Sequence, residues 1–140
     1  MSTFPPDPSP TPLVAVVVVS WNSRDDLPAA LRSLETITLP LEVVVVDNAS
    51  EDGTPEAVRG DFPNVRLIEA GANLGFATAC NLGWRATSSP LVLFLNPDAV
   101  LNRGALEALH AVLERRPEVG IVGPLTRNPD GTAQVSFGRD

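Results

Sequence analysis

Short runs of Val, Ile and Leu recur along the chain, at residues 13–20 (LVAVVVVS), 42–47 (EVVVVD), 65–70 (VRLIEA), 91–95 (LVLFL) and 119–123 (VGIVG). Several are apolar at consecutive positions, which suits strands of a parallel sheet covered on both faces. The segments between them carry helical signals, so the pattern predicts successive βα units. Asp25 or Asp26 can cap a helix with Pro28 in its first turn and Leu27, Leu31 and Leu34 on one face. Thr54-Pro55-Glu56 reads as a cap, a first-turn proline and a dipole-compatible acid. A third helix is expected from about Phe76 to Ala86. A fourth is expected from about Arg103 to Arg116, with Leu106, Leu109 and Leu113 inward. Asn128-Pro129-Asp130-Gly131 is a turn signal between two short runs, predicting a hairpin within residues 125–137.

Composition narrows this picture. The 140 residues suit one domain with a single core. Residues 1–12 hold five of the fourteen prolines and are expected to form a disordered tail, leaving 13–140 as the folded α/β domain. The formal charge of -7 and the lack of a basic run argue against nucleic acid as a partner. All ten basic residues are Arg, so no mechanism here can use a lysine. Cys80 is the single cysteine and has no internal disulfide partner, which suits a reducing, cytoplasmic setting. No signal-like start is present, and no apolar run is long enough to span a bilayer.

Ligands of open parallel sheets bind outside the carboxyl ends of the strands. The residues that follow the apolar runs there are Ser20-Trp21-Asn22, Asp47-Asn48 and Asn96-Pro97-Asp98. Pro97 cannot donate to a ladder and restricts Asn96 to extended backbone, so pairing should end there and leave Asp98 at the rim. A carboxylate on an acidic protein meets an anionic substrate through a divalent cation, and Mg²⁺ or Mn²⁺ takes one or two protein carboxylates together with phosphate oxygens. That pattern sketches a metal-bridged diphosphate site. Neither a P-loop nor a dinucleotide fingerprint follows the first run. Trp21 stands in its place, as a stacking wall for a base or as packing in the strand-to-helix corner.

The ordered segments VVVVSWNSRDDLPAALRSL, EVVVVDNASEDGT, NLGFATACNLGWR, LVLFLNPDAV and EVGIVGPLTRNPDGT together resemble the family 2 glycosyltransferases, in their rhamnosyltransferase-like branch, from Leu13 to Ser136. The resemblance implies a GT-A type fold, a mostly parallel Rossmann-like sheet with helices on both faces. It also implies metal-assisted transfer of a sugar, with inversion, from a nucleoside diphosphate to a saccharide or lipid-linked acceptor. By the same resemblance Trp21 and Asn22 lie in the first nucleotide-contacting loop, and Asp47, followed by Asn48, matches the acid that contacts base or ribose. Asn73, Gly75, Phe76 and Asn81 line the donor pocket. Asn96-Pro97-Asp98 stands at the DxD position, with Asp98 as metal-binding, catalytic residue and Mg²⁺ or Mn²⁺ as cofactor. The branch implies a pyrimidine nucleotide donor such as dTDP-rhamnose, and a cytoplasmic enzyme that can sit peripherally at the inner membrane face.

Two positions depart from the family pattern. Asn96 replaces the first Asp of DxD, and Cys80 stands where relatives often carry a second asparagine. In the family the general base and the acceptor surface come from the second half of a longer domain. The expectation is therefore an incomplete domain carrying mainly the donor-binding half, either a piece of a longer enzyme or a short chain that binds donor without transfer. Glu107, Glu114 and His110 are expected to be surface groups of the fourth helix. A phosphoacceptor receiver domain needs an acidic pair after the first strand and a lysine near the last, and a nucleotidyltransferase needs a glycine- and lysine-bearing loop; the chain has neither. A non-catalytic nucleotide-sugar-binding or interaction module remains as the alternative.

Overall fold

The computed structural model describes residues 11–134. Residues 1–10 of the expected proline-rich tail and residues 135–137 of the expected hairpin lie outside them. The chain divides after Leu101 into two compact units.

The first unit holds four strands, β1 (Val14–Ser20), β2 (Leu41–Asp47), β3 (Arg66–Glu69) and β4 (Leu91–Leu95), and three helices, α1 (Leu27–Leu34), α2 (Thr54–Asp61) and α3 (Phe76–Arg85). All strand pairs are parallel, in the order β3-β2-β1-β4. Every residue of β1 is buried, as its unbroken valine run requires of a central strand. Its even-numbered valines Val16 and Val18 pack with Leu27, Leu31 and Leu34 of α1 and Val58 of α2. Val17 and Val19 face the other way, toward Ala79 and Cys80 of α3. Helices thus cover both faces, and each fully buried Val or Leu contributes about 1.5–3 kcal/mol.

The α3 helix approaches the sheet closely because position 83 has no side chain: a Cβ on Gly83 would overlap Val17 Cγ1 and stand 3.0 Å from Val46 Cγ2. It lies over β1 and β2. Phe94, on the corresponding face of β4, is consequently 49% exposed. The outer edge of β4 has no strand partner among the described residues.

The helix starts depart from the expected caps. Asp26 occupies the N-cap position of α1 in helical backbone, without a side-chain cap bond. At α2 the acceptor is Asp52 rather than Thr54: Asp52 Oδ1 takes the Thr54 N–H at 3.0 Å and its hydroxyl at 2.6 Å. Gly53, with φ of 84°, makes the turn between them.

The second unit contains α4 (Ala105–Arg115), with Leu106 buried and Leu109 and Leu113 half-buried, and a tight turn at residues 128–131. Around that turn Asn128 N–H bonds Thr132 O at 2.8 Å, and Arg127 and Ala133 form a single antiparallel bridge. His110 Nε2 lies 3.6 Å from Glu114 Oε1 on α4. The fifth expected strand, residues 119–123, is absent. A strand exists through its ladder, and this run finds no partner among the described residues; Gly120 and Gly123 lower its β-propensity further. Ile121 is left 92% exposed.

Candidate functional site

The chain order reverses at β1, with β2 and β3 on one side and β4 on the other. Ligand sites in such sheets lie outside the carboxyl ends at that reversal. The register puts Ser20 beside Asp47 and Val18 beside Leu95, so the loops after β2, β1 and β4 emerge along one rim.

After β1, Trp21 is 56% exposed, so it is not a buried packing residue. Asn22 adopts left-handed backbone at φ 48°, and its side chain and N–H both bond the loop after β2. Its Oδ1 accepts from Glu51 N–H at 2.9 Å, and its N–H donates to Ser50 Oγ at 2.8 Å.

After β2, Asp47 is 2% exposed. Its carboxylate is engaged from within its own loop, by the Ser50 N–H at 2.9 Å and the Ser50 hydroxyl at 2.5 Å. Asn48 is 3% exposed and reaches the next loop: Oδ1 accepts from Leu74 N–H at 3.3 Å and Nδ2 donates to Gly75 O at 3.4 Å. This buried amide holds residues 73–76 at the rim. There Asn73 Oδ1 accepts from Gly75 N–H at 3.0 Å, Gly75 turns with φ of 77°, and Phe76 opens α3 with 58% of its surface exposed. Asn81 is exposed on α3, about 7.5 Å along the axis from Phe76.

After β4, Asn96 O accepts from Ala99 N–H at 3.1 Å, closing a turn on which Asn96 and Asp98 are both exposed. Pro97 ends the ladder as expected. No group of three or more His, Cys, Asp or Glu that could hold a metal occurs among the described residues. A single exposed carboxylate with a neighbouring amide still fits Mg²⁺ or Mn²⁺, which bind through one or two protein carboxylates and complete their shell with phosphate and water.

Several participants were not singled out in the sequence. Asp52 bonds the Arg24 N–H at 3.0 Å through Oδ2, while Arg24 Nη1 donates to Asp52 O at 3.2 Å. Hydrogen bonding by the Thr54 hydroxyl, and then by the Arg24 and Thr54 amides, holds the Asp52 carboxyl below the usual carboxylate range against the opposing effect of burial. Arg24 is the guanidinium that this arrangement places beside the rim of an acidic protein. Cys80 is 9% exposed on the face of α3 that packs on β1 and β2, and burial pushes its thiol up, as befits a packing residue.

The comparisons with known proteins agree with this geometry. The profile of the family described as glycosyl transferase family 2 matches residues 15–139. An N-acetylglucosaminyl-diphospho-decaprenol L-rhamnosyltransferase of Mycobacterium tuberculosis is 38% identical over 138 residues, covering 90% of this chain and 45% of the relative. The succinoglycan biosynthesis protein ExoO of Rhizobium meliloti is 34% identical over 118 residues, covering 83% of this chain and 33% of the relative. Among solved structures, the mannosyltransferase PcManGT of Pyrobaculum calidifontis, in complex with GDP-Man and Mn²⁺, superposes with a TM-score of 0.67 at 33% identity, over 79% of this chain and 35% of that one. S. aureus TarS 1-349 in complex with UDP-GlcNAc gives 0.64 at 27% identity, over 74% and 32%. The chain therefore spans less than half the length of these relatives, and the α/β sheet is that of GT-A glycosyltransferases. On sequence and fold together, the chain belongs to glycosyltransferase family 2.

Proposed function

We propose that this chain carries the donor-binding half of an inverting glycosyltransferase and binds a nucleoside-diphosphate sugar along the carboxyl rim of its sheet. The observation that carries the reading is the convergence of the loops after β1, β2 and β4 on one rim. Trp21 and Phe76 offer exposed aromatic surface there for a base. Asn22 and Asn73 offer amides, and Asn48 holds the Gly75 loop in place. Asp47 acts through Ser50, shaping the base-side loop from beneath. Asp98, with Asn96, would hold a divalent cation, which when bound supplies charge stabilisation to the departing diphosphate. Arg24 adds fixed positive charge near the same rim.

A pyrimidine nucleotide, dTDP-rhamnose in particular, is the favoured donor, because the mycobacterial relative is a rhamnosyltransferase. That relative's name also supports a lipid-linked saccharide as acceptor. No helix among the described residues is long and apolar enough to cross a membrane.

Calorimetric titration with dTDP and UDP, in Mn²⁺ and then in EDTA, tests the site. Metal-dependent binding that Asp98→Ala weakens at least tenfold is expected. Binding indifferent to both metal and Asp98 would refute it. Release of nucleoside diphosphate from dTDP-rhamnose on adding a lipid-linked acceptor separates transfer from binding alone.

A further inference from the structure

The peptide joining Trp21 to Asn22 is gripped at both of its polar atoms. Ser23 Oγ donates to the Trp21 carbonyl at 3.1 Å, and Ser50 Oγ accepts from the Asn22 N–H at 2.8 Å. Each serine is itself anchored. Ser50 gives its hydroxyl proton to Asp47 Oδ1 at 2.5 Å and its N–H to Oδ2 at 2.9 Å, while the Ser23 N–H bonds Thr54 Oγ1 at 3.2 Å. Asp47, Ser23 and Thr54 are buried, and the two anchors Asp47 and Thr54 stand at the end of β2 and the start of α2.

The backbone on either side of this grip is held in an uncommon state. Asn22 has φ 48° and Ala49, next to Ser50, has φ 63°. Left-handed backbone costs a non-glycine residue about 1–3 kcal/mol and persists where surrounding bonds over-determine it. At Ala49 the over-determination comes from the paired bonds between Asp47 and Ser50; at Asn22 it comes from Ser50 on the N–H and Glu51 on the side chain.

We propose that Ser50, with Ser23 as its counterpart, is a positioning residue for the donor: it fixes the plane of the Trp21–Asn22 peptide and so the direction in which the exposed Trp21 ring projects over the rim. The flanking peptide planes set the Cα–Cβ direction of Trp21, and a rotation of that plane swings the ring away from a stacking geometry. The proposal rests on the reading of the rim as a nucleoside-diphosphate site.

The test uses the full chain in a Trp84→Phe background, which leaves Trp21 as the single tryptophan of the two in the sequence. Without nucleotide, Ser50→Ala is expected to lower the fluorescence anisotropy of Trp21 and to speed exchange of the Asn22 amide at least tenfold, and Ser50→Thr to restore both. With Mn²⁺ and UDP, Ser50→Ala is expected to weaken binding about five- to tenfold, the equivalent of one hydrogen bond, and Ser50→Thr to recover it. Unchanged anisotropy and amide exchange in Ser50→Ala overturn the positioning role. If the parent binds UDP and Ser50→Ala binds it equally well, the proposal falls while the donor site stands. If the parent binds no nucleoside diphosphate, the donor reading falls first. Should Ser50→Ala fail to fold by circular dichroism, Ser23→Ala grips the same peptide from its other side and is put through the same measurements.

Discussion

Replacing Gly83 by Ala measures how tightly the rim is tied to the sheet beneath it. In an open helix the change is favourable by about 1 kcal/mol, because alanine is the better helix former. At this position the new Cβ would overlap Val17 Cγ1 and sit 3.0 Å from Val46 Cγ2. Both valines are buried, with 1% and 0% exposure, and belong to the central strands, so neither can move aside without disturbing β1 or β2. Overpacking of this kind costs about 1–3 kcal/mol, and more where the obstacle is a constrained strand. With the obstacle in two buried central strands the cost falls at the upper end of that range, and less the helix gain the net expectation is a loss of about 2 kcal/mol. Gly60 provides the contrast: it lies in α2, is exposed, and a Cβ there meets nothing within 4 Å. Gly60→Ala should therefore stabilise by about 0.5–1 kcal/mol. Urea denaturation of the two variants and the parent, followed by circular dichroism, gives both signs in one experiment. Equal or greater stability of Gly83→Ala would refute the close approach of α3. Because α3 begins at Phe76, its outward displacement should also weaken nucleotide binding in Gly83→Ala and leave it intact in Gly60→Ala.

Glu42 accepts from the Ser89 hydroxyl at 2.5 Å and from the Ser88 and Ser89 amides, and its carboxyl is held below the usual range by the Ser89 hydroxyl first and then, against opposing burial, by those amides and Arg66. A depressed carboxyl contributes stability above its unfolded pKa of about 4.3 and loses it as pH falls through the folded value. Glu42→Gln should accordingly flatten the acid limb of a urea-midpoint profile below about pH 5, and an unchanged profile would count against the latch. Asp47→Ala removes the acceptor of two Ser50 bonds from a buried position and should lower stability by about 2–3 kcal/mol; a thermal shift under about 2 °C would show that those bonds contribute little.

The strands that could be read from the sequence were those whose burial is written in consecutive valines. Residues 14–20 are apolar almost throughout because both faces are covered, and no turn or exposed helix mimics that run. Residues 119–123 looked similar over a shorter span, but two of the five are glycine and no ladder partner is present among the described residues, which no local pattern reveals. The rim was legible to the extent that polar residues follow apolar runs directly, as at Trp21, Asp47 and Asn96. Ser23, Ser50 and Asp52 were not legible, since serine and aspartate are ordinary turn residues and their partners lie 28 to 31 positions away. Asn48 illustrates the difference: its position followed from the strand end, whereas its role as a bridge to Leu74 and Gly75 depends on the β3–α3 loop folding back over β2.

The edge of β4 that has no strand partner among the described residues bears on colloidal behaviour. An uncharged edge strand of five apolar residues, paired on one side only among the described residues, is a template for adventitious cross-chain ladders, and natural sequences flank such strands with gatekeepers. Here proline precedes the strand at position 90 and follows it after one residue at position 97. Neither can donate to a ladder, so a foreign strand laid along LVLFL would be interrupted at both ends after little more than five residues. The proline that ends the β4 ladder ahead of Asp98 thus also limits the length of any ladder a foreign strand could form along this edge.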